Sequence, residues 1–160
     1  YHVRTYRLRL LSPSGKTAKA ALRYLGYDKL PTFLFGSRVL QAALPAEVVG
    51  GSVTTVSVKI QNMGSDNWDS MSDLPVFLSY RISRAGIEDP EWKDGYRWPL
   101  GRLVPPRGVL SRDLQIRWPQ EPGAYRVRID LILAEVAWFA DQTGAPIFEG
   151  EVRVISPSIN

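Results

Sequence analysis

The stretch EPGAYRVRIDLILAEVAWF, residues 121–139, constrains the fold more than any other part of the chain. Tyr125, Val127, Ile129, Leu131 and Leu133 alternate with Arg126, Arg128, Asp130 and Ile132. A period of two puts the first set on one face of an extended strand and the second, mostly charged, on the other. The apolar face then needs a second layer to cover it. Pro122-Gly123 just ahead sets a turn, because proline fixes one backbone angle and glycine tolerates the left-handed region. A tyrosine two residues after that glycine, heading a long strand, is placed to bond its hydroxyl back to the preceding loop.

Other segments supply the partner strands. Val56, Val58 and Ile60 alternate with Ser57, Lys59 and Gln61, and the run ends at Asn62-Met63-Gly64. After Pro75, the residues Val76, Leu78, Tyr80 and Ile82 share a face opposite Phe77, Ser79, Arg81 and Ser83. Leu114, Ile116 and Trp118 are in phase, as are Phe148, Val152 and Val154 near the end. Thr32 to Phe35 and Val39 to Leu44, interrupted by Pro45 and Gly50-Gly51, read as the entry and a first edge strand, where proline is tolerated. Residues 84–108 are irregular, with Leu100 and Leu103 expected to return to the core. About seven short strands separated by turns predict an all-β antiparallel sandwich over residues 37–160.

Residues 1–36 differ in kind. They carry seven lysines and arginines against Asp28 alone, net +6, whereas residues 37–160 are net −2. YHVRTYRLRLL fits a helical or an extended face equally well. Ser14 is placed to cap a helix from Lys16 to Leu25, with Ala18, Ala21, Leu22 and Leu25 as its apolar stripe. Such a segment suits either peripheral contact with an anionic membrane surface or a connector from a preceding domain, and its short length favours the connector. A start at Tyr1 rather than methionine points to a piece of a longer protein. No apolar run approaches the ~20 residues that span a bilayer. The chain has no cysteine, so disulfides and thiolate chemistry are excluded.

Few residues are equipped for catalysis. His2 is the only histidine, which leaves little from which to build a nucleophilic triad or a histidine metal site. Glu88, Asp89, Glu91 and Asp94 fit a solvated turn better than the carboxylate pair of glycoside hydrolysis. Asp66, Asp69 and Asp73 offer oxygens of the kind calcium takes, without the glycine and terminal glutamate of the EF-hand pattern, and fit a hydrated loop better. Gly50-Gly51 lacks the lysine and helix start of a phosphate loop. No metal or cofactor is expected. Nor is nucleic-acid binding, because the basic charge lies outside the sandwich. The aromatic cluster Trp92, Tyr96 and Trp98, with Asp94 and Arg97, is the best ligand-binding candidate: flat rings stack on the C–H faces of sugars while charged groups bond the hydroxyls.

Five landmarks carry a family resemblance. The turn from Gln61 through Asn62-Met63-Gly64 to Trp68 is similar to one in several immunoglobulin-like modules, including the four-tryptophan domain of autophagy receptors. Together with Leu78-Ser79-Tyr80-Arg81, Asp94-Gly95-Tyr96-Arg97, Pro122-Gly123-Ala124-Tyr125 and Trp138-Phe139, it resembles the sandwich domains appended to bacterial glycosyltransferases and other polysaccharide-biosynthesis proteins. The resemblance covers residues 47–155 and implies an immunoglobulin-like fold and a non-catalytic accessory role. It departs from the usual pattern at Pro105-Pro106-Arg107-Gly108. On this reading the module binds saccharide or positions a neighbouring domain, at the cytoplasmic or membrane-associated face of a bacterial envelope system. The alternative is an assembly module acting through its N-terminal segment or an edge strand.

Overall fold

In the computed structural model, which describes residues 35–134 and 136–157, the described chain forms ten strands and one short helix. The strands are β1 (Ser37–Ala42), β2 (Glu47–Val49), β3 (Val53–Asn62), β4 (Val76–Arg84), β5 (Lys93–Asp94), β6 (Trp98–Pro99), β7 (Val109–Arg117), β8 (Gly123–Leu133), β9 (Ala137–Trp138) and β10 (Phe148–Ile155). The helix, α1, is Phe139–Thr143. His2, the helix expected from Lys16 to Leu25 and nearly all of the basic connector lie outside the described residues.

The strands make two sheets, ordered β1-β3-β7 and β2-β10-β8-β4-β5. β6 pairs with β4 and β9 with β8. The alternation in the sequence decides which side chains meet between the sheets. Val56, Val58 and Ile60 from β3, with Leu110, Leu114 and Ile116 from β7, face Leu78, Tyr80, Val127, Ile129 and Leu131 from β4 and β8. Trp118 is buried just past β7, its indole N–H donating to Thr54 Oγ1 at 2.8 Å. The sandwich is therefore an immunoglobulin-like one, and the tyrosine corner is formed: Tyr125 Oη donates to the Glu121 carbonyl at 2.9 Å. Arg84 closes the same corner by bonding the Pro122 carbonyl and the Glu121 carboxylate.

The turn after β3 is held by Asn62, which is fully buried. Its amide donates to the carbonyls of Asp66 and Val104, and its Oδ1 accepts from the Gly64 N–H. Trp68 then exchanges two backbone hydrogen bonds with Val104. This bridge corrects one expectation. Leu100 is buried, but Leu103 is 47% exposed and Val104 takes its place in the core, because pairing with Trp68 turns the neighbouring residue inward.

The outer face of the larger sheet is also covered, although its residues are polar. Ser79, Arg81, Ser83 and Asp130 are all buried there. The connection after β8 folds back over that face, laying the Trp138 ring 4.4 Å from the Arg81 guanidinium carbon. Phe139, the next residue, points the other way and packs edge-on against Phe35 and Trp68.

Candidate functional site

The five expected site residues fall on two surfaces. β5 pairs with β4 so that Asp94 stands opposite Arg81 and Lys93 opposite Ile82. Trp92, just before β5, lies on the outer face of the larger sheet, whereas Asp94, exposed at the end of β5, borders the edge cleft beside Tyr96. Trp92 is half-buried beneath Arg128 and Arg126, 4.3 and 5.7 Å from its ring. Both arginines also bond the Glu149 carboxylate. Partial burial raises the Glu149 pKa, but the hydrogen bonds and charges of Arg126 and Arg128 outweigh it and hold the group below its ordinary value. Trp92 is thus part of a packed cation–ring stack rather than an open platform.

Tyr96 and Trp98 lie elsewhere, at the edge of the sandwich between the two sheets. Trp98 stands opposite Leu78 and packs against the core, half-buried. Tyr96 is 65% exposed and meets the Trp98 ring edge-on, with centroids 4.7 Å apart and planes at 65°. The two rings therefore form a corner, not a coplanar shelf. Three contacts hold the segment in place. The Ser79 hydroxyl, itself buried, donates to the Tyr96 carbonyl at 2.9 Å. The Gly95 N–H donates to the Tyr80 carbonyl at 2.8 Å. Gly95 also lies flat on Tyr80: a Cβ there would come within 2.3 Å of that ring, so no other residue fits without displacing it.

These groups line an open cleft of about 480 Å³, whose walls include Tyr80, Asp94, Tyr96, Trp98, Gln115 and Arg117. Its size falls within the ordinary range for small-molecule sites. The Tyr80 hydroxyl is fixed at its base by the Arg117 backbone N–H, at 3.0 Å. Among the described residues, the side chains of Asp94, Gln115 and Arg117 make no hydrogen bond or ion pair with the protein, so a carboxylate, an amide and a guanidinium all remain available to a ligand. Arg97 is exposed next to Tyr96 and is not part of the lining. Sequence reasoning missed Tyr80, Gln115 and Arg117. Nothing local marks them, since their place in the cleft depends on how β4 and β7 lie across the sandwich.

The other acidic groups are arranged differently. Glu88, Asp89 and Glu91 face solvent in the loop before β5. Among the described residues no group of three carboxylate or histidine side chains is close enough to hold a metal ion, and Asp69 Oδ1 accepts from the Met71 N–H of its own loop. Asp130 is fully buried; burial pushes its pKa up to about 7, against hydrogen bonds from the Ala140 and Leu131 N–H groups and the charge of Arg81. A raised carboxyl in a cleft is a sign of acid–base chemistry. Enclosed as it is, Asp130 holds α1 to the sheet instead. No helix among the described residues is long and apolar enough to cross a membrane.

No protein family matches the chain, and no curated protein does. Solved structures with a related backbone include the alkylpurine DNA glycosylase AlkC of Pseudomonas fluorescens bound to DNA containing an abasic-site analogue. It has a TM-score of 0.49 and 10% identity, over 86% of this chain and 38% of that one. A β-glucosidase from Listeria innocua aligns with a TM-score of 0.48 and 14% identity, over 78% of this chain and 16% of the enzyme. The CARDB domain of a Pyrococcus furiosus protein aligns with a TM-score of 0.45 and 13% identity, over 74% of this chain and 94% of the domain. The chain thus spans well under half of the first two proteins. By its own strand order and tyrosine corner, it is an all-β, immunoglobulin-like sandwich domain.

Proposed function

We propose that this domain is a non-catalytic accessory module of a glycan-assembly protein and binds saccharide in the cleft between β5, β6 and β7. The observation that carries the reading is Tyr96: a ring 65% exposed, steadied edge-on by Trp98, above polar side chains left unbonded among the described residues. An aromatic face takes the C–H side of a pyranose while Asp94, Gln115 and Arg117 take its hydroxyls. With neither an accessible acid–base pair nor a nucleophile in the cleft, binding without turnover is the chemistry these side chains support.

A glycan array probed with the whole chain tests this. Wild type is expected to bind a subset of glycans, and Tyr96→Ala to lose that signal by about tenfold or more with its melting temperature unchanged. Trp92→Ala is the contrasting variant: it should retain binding and lose stability, because its ring lies under Arg126 and Arg128 rather than in the cleft. Absence of any glycan signal from folded wild type, or full binding by Tyr96→Ala, overturns the reading.

One observation favours a second role. β1 pairs only with β3 among the described residues, and Val39 and Leu40 on it are 36% and 44% exposed. An open edge of this kind accepts a strand from another protein. A folded domain that ignores glycans but elutes as a larger species, and reverts on Leu40→Lys, would fit that role.

A further inference from the structure

The run of chain from the end of β5 through β7 carries a charge unlike that of the rest of the sandwich. Residues 95–118 hold Arg97, Arg102, Arg107, Arg112 and Arg117 against Asp113 alone, net +4, although residues 37–160 as a whole are net −2. Basic charge is therefore not confined to the N-terminal segment. The fold sets most of these arginines in a row. β7 is an edge strand, bonded to β3 on one side. On its other side the Arg102 guanidinium donates to the Val109 carbonyl, and Arg112 Nε donates to the Pro99 carbonyl at 3.1 Å. The segment from Pro99 to Arg102 thus runs beside β7 in the opposite direction. At the far end of the same edge is the Tyr96 cleft, where Arg117 is part of the wall and Arg97, exposed, follows Tyr96. Among the described residues no carboxylate pairs with Arg97, Arg102, Arg112 or Arg117, whereas Arg81, Arg84, Arg126 and Arg128 each have one. The nine residues of β7, at ~3.3 Å each, make the row roughly 25–30 Å long, more than the cleft alone requires.

We propose that this edge is a track for an acidic glycan, a chain bearing carboxylates on successive sugars, with one end seated in the Tyr96 cleft. The inference rests on the saccharide reading above and names the class of saccharide. A guanidinium offers five N–H donors and no acceptor, and its planar fork matches a carboxylate with two parallel bonds. Neutral hydroxyls could take up those donors, but they would leave the like charges of the row unrelieved; carboxylates do both. Asp94 opposes an anion in the cleft itself and is left to accept from a hydroxyl there, one negative charge against four positive ones along the edge. Nucleic acid, another polyanion, fits less well. A strand of bases needs successive rings to stack on, and Tyr96 is the one exposed ring among the described residues.

The test is calorimetric titration of the whole chain with tetramers of galacturonate, glucuronate and mannuronate, with their neutral methyl esters, and with a twelve-nucleotide oligothymidylate. At least one acidic tetramer is expected to bind about tenfold more tightly than its ester at low salt, and the advantage should shrink as salt is raised. Arg97→Gln combined with Arg102→Gln, both at exposed positions, should cut that preference to about threefold or less in a chain that still melts cooperatively. Equal affinity for acid and ester, or a preference that the double variant keeps, overturns the inference and leaves the saccharide reading standing. So does silence from every acidic tetramer when the glycan array shows neutral glycans bound; a blank array overturns both. Tighter binding of the oligothymidylate than of any acidic tetramer overturns the inference in favour of nucleic acid.

Discussion

Asp130 shows how much one residue can link. Its Oδ1 accepts from the Leu131 N–H and its Oδ2 from the Ala140 N–H in α1, at 2.9 and 2.8 Å. Around it stand Arg81 from β4, stacked on Trp138, and Asp141 from α1, 3.6 Å from Arg81 Nη2. Burial raises the folded-state pKa to about 7 from an ordinary value near 3.8. Between those values the folded protein holds a proton that the unfolded chain has lost. The stabilisation is therefore complete below about pH 4, declines as pH rises toward 7 and is flat above, with an upper bound of about 4 kcal/mol. Denaturation at pH 5 and pH 8 should show wild type losing stability relative to Asp130→Asn as pH rises. The variant itself carries a constant offset, because an amide nitrogen cannot accept from the second N–H. Parallel pH profiles for the two proteins would contradict this account.

At the scale of elements, β5 decides what the 92–98 segment can do. It is two residues long, yet its pairing with β4 sends Trp92 to the sheet face and leaves Tyr96 at the edge. Gly95 makes that geometry possible. Gly95→Ala should cost about 1–3 kcal/mol in urea denaturation, since Tyr80 must move or the segment must lift. The same change should weaken glycan binding by disturbing the base of the cleft. β3, β4, β8 and the tyrosine corner were legible in the sequence because alternation and a turn are local signals. The division of Trp92 from Tyr96 was not, because it follows from a pairing register between residues more than ten positions apart. The burial of Ser79, Arg81 and Asp130 was equally hidden, since polar residues imply an open face until another segment covers it. Ile132 and Leu133, adjacent and both apolar, were the available hint that β8 is covered on both sides, as was the Trp138-Phe139 pair that covers it.

For the molecule as a whole, the two sheets share their first run of chain: β1 belongs to the smaller sheet, and after Pro45 β2 crosses to the larger one. There β2 runs parallel to β10, Glu47 beside Arg153 and Val49 beside Ile155. The pairing is extended by hydrogen bonds from the Arg153 N–H to the Ala46 carbonyl and from the Gly50 N–H to the Ile155 carbonyl. Parallel strands pulled from opposite ends slide past one another, so tension between the two ends of the domain loads these bonds together in shear and cannot peel them one at a time. Rupture under force should then be a single high-force event in an optical-trap pull, set by the unfolding barrier and lowered by Val48→Pro. Gradual extension at low force would show that the clamp is not under load. The load is thus borne by β2 and β10 as one unit, and the larger sheet keeps its spacing until the two strands part together.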